Sequence, residues 1–66
     1  RIGIAHLAFD AGSPAAVDAL MARLQSHGCT VESAARTTGD GYYEGTVFDP
    51  DGNRIEIVTR ADSAAG

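Results

Sequence analysis

The sequence predicts an α+β fold, a single βαβββ module with one helix packed on a four-stranded mixed sheet. Three observations carry this. One segment has helical periodicity, four segments have the alternation or β-branched content of strands, and turn residues fall between them. Residues 1–9 (RIGIAHLAF) alternate, with Ile2, Ile4, His6 and Ala8 on one face and Gly3, Ala5, Leu7 and Phe9 on the other. Both faces are apolar, as in a strand buried on both sides. After the break at Asp10-Ala11-Gly12, Ser13-Pro14 supplies an N-cap with proline at the first helical position. Residues 14–27 then carry Val17, Leu20, Met21 and Leu24 at the i, i+3, i+4, i+7 spacing of an amphipathic helix. Gly28 is its stop signal.

Residues 29–35, with Thr30 and Val31, read as the second strand, and Thr37-Thr38-Gly39-Asp40-Gly41 as a turn. Residues 42–48 (YYEGTVF) form the third strand, rich in aromatic and β-branched residues. Asp49-Pro50-Asp51-Gly52-Asn53 is a tight turn with each residue type in a favoured role. Residues 54–60 (RIEIVTR) form the fourth strand. The module spans residues 1–60, and residues 61–66 (ADSAAG) are expected to fray. Leu7, Phe9, Val47, Ile55 and Ile57 are expected to pack against the helix stripe. The other sheet face then presents Ile4, His6, Tyr42, Glu44, Thr46, Phe48, Glu56 and Val58. A face of such mixed polarity is that of a ligand cup or a subunit interface.

Composition narrows the function classes. The 66 residues, 44% of them hydrophobic, include nine acids against five arginines, for a formal net charge of -4. Mean hydropathy is -0.08, an ordinary globular value. The acidic balance repels phosphate backbones, which argues against nucleic acid as a partner. No apolar run approaches the ~20 residues that span a bilayer, which argues against a membrane. The single Cys29 excludes an internal disulfide and a cysteine-rich zinc framework, so a reducing cytoplasm is the expected compartment. A chain of this size buries only about 60% of its unfolded surface. A second copy, or another module, is expected to complete its core. The leading Arg1, in place of Met, carries the expectation of a fragment or a processed product.

The stretch DPDGNRIEI (residues 49–57), the βαβββ order and a strand histidine at position 6 together resemble the vicinal oxygen chelate superfamily. This group includes glyoxalase I, bleomycin-resistance proteins and extradiol dioxygenases. The resemblance implies paired modules whose sheets curl into a cup around a divalent metal. Each module offers one ligand from its first strand and one from its last, and the matching positions are His6 and Glu56. Ni, Zn, Mn, Fe or Co would suit an imidazole and a carboxylate. Glu56 would double as a catalytic base in lyase or isomerase chemistry on a small substrate with vicinal oxygens. Tyr42, Glu44, Thr46 and Phe48 would line the substrate cup. Two departures discriminate within the group. Thr46 stands where extradiol dioxygenases carry a tyrosine, and Asn53-Arg54 where glyoxalases often carry an aromatic residue. A metal-free alternative is a binding protein that sequesters a cationic aromatic antibiotic between two protomers. A third is an inert piece of a two-module protein. Catalytic metals need about three protein ligands, so two from one module make a half-site. A homodimer or a missing second module would supply the rest.

His27 is read as a cation favouring the helix C-terminus, Cys29 as a packing residue, and Asp49 and Asp51 as turn residues.

Overall fold

A computed structural model of the chain describes residues 7–62. The elements run β1 (Leu7–Asp10), α1 (Pro14–Ser26), β2 (Thr30–Thr37), β3 (Tyr42–Phe48) and β4 (Arg54–Arg60). The sheet order is β1-β4-β3-β2. β1 runs parallel to β4, while β4-β3 and β3-β2 are antiparallel. The expected α+β architecture is therefore present, as one helix on an open, mixed, four-stranded sheet. Ile4 and His6, and the expectations placed on them, lie outside the described residues, as do the last four residues of the tail.

The helix begins as its local chemistry dictates. Ser13 is extended at the N-cap, and its Oγ accepts the Ala16 backbone N–H at 3.1 Å. Pro14 follows at the first turn, where no N–H is needed. At the other end His27 is the C-cap, with Nδ1 2.7 Å from the Arg23 carbonyl oxygen. Gly28 then takes a φ of +98°, which lets the chain reverse into β2. The DPDGN turn closes around one carboxylate. Asp49 Oδ1 accepts the backbone N–H groups of Asp51 and Asn53 at 3.0 and 2.8 Å, and its Oδ2 accepts the Asn53 amide at 3.0 Å. Gly52 completes the turn at φ +88°.

Helix α1 lies across β2, β3 and β4. The core is Val17 and Met21 from the helix against Val47 and Ile57 from the sheet. Val17, Val47 and Ile57 are fully enclosed. Leu20, Leu24, Cys29, Val31, Ala35, Tyr43 and Ile55 pack around this centre, so Cys29 has the packing role expected of it. Tyr43 also ties sheet to helix, its hydroxyl donating to Asp18 Oδ1 at 2.6 Å. At position 45 an added Cβ would lie 2.8 Å from Met21 Cε and 3.1 Å from the Ala35 backbone nitrogen. Glycine is thus what lets Met21 seat on the sheet.

One expectation is corrected. Leu7 and Phe9 were assigned to the core by alternation, yet they are 50% and 46% exposed. Their register partners on β4 are Ile55 and Ile57, so the face assignment is sound. The helix, however, stops short of the edge strand β1. Strand β2 also runs two residues further than its composition indicated, to Thr37.

Candidate functional site

The face of the sheet away from the helix is set by register. Thr46 pairs with Glu56, Glu44 with Val58, Phe48 with Arg54 and Tyr42 with Arg60. Antiparallel partners share a face, and Gly45 and Ile57 face the helix, so these four pairs face the other way. On this face lies a concavity of about 160 Å³ lined by Glu32, Ser33, Arg36, Glu44, Gly45, Thr46, Arg54 and Glu56. That volume lies below the ~300 Å³ at which small-molecule pockets usually begin. It is half a cup.

Strand β2 builds one wall by an irregular route. Its pairing with β3 shifts twice, between Val31 and Ser33 and again between Ser33 and Arg36. Each shift places an extra residue on β2. Regular alternation would turn residues 33 and 36 to opposite faces. With the bulges, Ser33 lies opposite Thr46 and Arg36 opposite Glu44, and both reach the concavity. Val31 and Ala35 meanwhile remain against the core. Bulges re-aim side chains in this way and concentrate beside functional sites.

The floor is Glu56 and Thr46, each only 7% exposed. An ion pair stands at one side, with Arg54 Nε donating to Glu32 Oε1 at 2.6 Å. This hydrogen bond holds the Glu32 carboxyl below its ordinary pKa. At the adjoining turn, the Asn53 side chain and backbone likewise depress Asp49. Both carboxylates are solvated, so these are local features of geometry rather than large contributions to stability.

Of the residues singled out from the sequence, Glu44, Thr46 and Glu56 come together in the concavity. Phe48 is half-buried on the same face but outside the lining. Tyr42, 38% exposed, borders a separate shallow hollow with Asp40, Arg60 and Asp62. Glu32, Ser33, Arg36 and Arg54 line the site without having been singled out. The bulges that bring in Ser33 and Arg36 have no signature in residue type. Arg54 was legible in principle, since alternation places it on the same face as Glu56.

The residue types test the idea of a metal here in two respects. A buried carboxylate at the floor of a polar hollow is a suitable donor. In number the set falls short, because among the described residues no three His, Cys, Asp or Glu side chains are grouped to hold an ion. The described residues alone therefore do not make a complete metal site.

The strand order, the single helix on one face and the polar hollow on the other define a small open α+β module. The model of the Glyoxalase/Bleomycin resistance protein/Dioxygenase superfamily matches residues 1–57, and the chain belongs to that family. No curated protein matches the chain. Among the described residues no helix is long and apolar enough to cross a membrane.

Proposed function

We propose that this chain contributes half of a divalent-metal site that acts on a small substrate with vicinal oxygens, the other half coming from a second module. The observation that carries the reading is Glu56, a carboxylate with 7% exposure at the floor of the concavity. A carboxylate held at the floor of a polar hollow is a suitable oxygen donor for a divalent cation. His6 and Glu56 would hold the ion jointly with residues of the second module. The metal, when bound, supplies Lewis-acid stabilisation of negative charge on the substrate's oxygens. In this reading Glu56 also takes the proton from a carbon beside those oxygens, and Thr46 and Glu44 orient the substrate against it.

Three features support a shared site. The hollow is small for an enclosed ligand, the donor set is incomplete among the described residues, and β1 is an edge strand with half-exposed Leu7 and Phe9. An uncovered apolar edge of this kind favours pairing. A two-fold dimer of this chain would bring two His6-Glu56 pairs together.

The test is His6→Ala, with Mn2+ uptake followed by isothermal titration. Loss of measurable uptake with the fold intact is expected. Unchanged affinity would remove His6 from the ligand set and overturn the shared-site reading.

A second reading, sequestration of a cationic aromatic antibiotic, draws on the three glutamates of the lining and on exposed Tyr42 across the same face. Tight binding of a cationic aromatic dye to chelator-treated protein would favour it over metal chemistry.

A further inference from the structure

We propose that Arg36 is the anion-recognition residue of the concavity, taking the carboxylate of a small substrate; this rests on the reading of the concavity as a substrate site. Of the two arginines in the lining, Arg54 is already neutralised by Glu32 at 2.6 Å. Among the described residues Arg36 enters no ion pair, and its side chain is exposed at the mouth. Its presence there is a built feature. Regular alternation from Ser33 would turn Arg36 toward the helix face and Ala35 into the hollow. The second bulge of β2 reverses this, leaving Ala35 on the core and placing Arg36 beside Glu44 in the lining.

The surroundings select the ligand. A guanidinium presents a planar fork of donors that matches a carboxylate or a phosphate. The hollow is also lined by Glu32, Glu44 and Glu56, which repel a dianion more strongly than a monoanion. Its volume of about 160 Å³ is small beside the ~300 Å³ at which small-molecule pockets usually begin, which favours a small ligand. A carboxylate of a few carbons satisfies all three conditions.

The probe is lactate, a small 2-hydroxy carboxylate, compared with neutral lactamide of nearly the same shape. Each is titrated into the full chain with amide chemical shifts followed by NMR. Lactate is expected to shift the amides of Ser33, Arg36 and Thr46 and to bind about tenfold to a hundredfold more weakly to Arg36→Gln. Lactamide should bind both forms alike, and Arg36→Lys should fall between them. Equal lactate affinity in the wild type and Arg36→Gln, or no lactate binding at all, overturns the proposal. Mn2+ broadening of the Glu56 and Thr46 amides is read in parallel lactate-free samples. If broadening persists while lactate fails, the anion role alone is wrong. If both fail, the substrate-site reading falls with it.

Discussion

Glu56→Gln is expected to lower divalent-metal affinity by at least ~100-fold while the protein stays folded. Outer-shell partners of metal ligands typically contribute 10–100-fold, and a direct donor contributes more. Gln keeps the shape of the side chain and loses the charge. Glu56 sits at the floor of the hollow, 7% exposed and paired in register with Thr46 at the centre of the sheet. An isosteric change therefore leaves packing intact. The melting temperature should accordingly move by no more than a few degrees. Isothermal titration with Mn2+ alongside thermal denaturation separates the two roles. A strongly lowered melting temperature with unchanged metal affinity would make Glu56 a structural residue.

Ile57→Ala is expected to unfold a large part of the population. Ile57 is fully enclosed between β1, β3 and the helix, and Ile→Ala at such sites costs about 2–5 kcal/mol. At ~0.05–0.15 kcal/mol per residue, a chain of 66 residues has a total stability of only about 3–10 kcal/mol. The melting temperature should fall by at least ~8 °C, at roughly 4–8 °C per kcal/mol for a domain this small. Leu7→Ala is the contrast. Leu7 faces the same side of the sheet but is 50% exposed, so in dilute protein its loss should stay within about 0.5 kcal/mol. Circular dichroism melts of both variants decide the matter. Equal destabilisation would mean that the core extends over β1, contrary to the packing described.

The helix was legible because its signals agree. Ser13-Pro14 begins it, Val17, Leu20, Met21 and Leu24 supply the stripe, and Gly28 ends it. The DPDGN turn and the third and fourth strands were equally plain, since turn chemistry and alternation are local. Alternation also placed Glu44, Thr46 and Glu56 on one face correctly, and the register confirms it. What alternation does not encode is reach. Leu7 and Phe9 occupy the helix side of the sheet, but the 13-residue helix covers only its three neighbouring strands. Nor does residue type encode a bulge. Glu32, Ser33, Ala34, Ala35 and Arg36 read as an ordinary strand, and only the pairing with β3 reveals which of them face the hollow. The site was thus half legible, its floor from periodicity and its β2 wall from tertiary structure alone.

One chain is proposed to carry half of a metal site. Native mass spectrometry of the full chain, with and without Mn2+, Ni2+ or Zn2+, tests it most directly. The expected result is a dimer that takes up about one metal per two chains, since two ligands from each copy make a set of four. A monomer that binds the ion by itself, or a chain that stays metal-free in every condition, would contradict it.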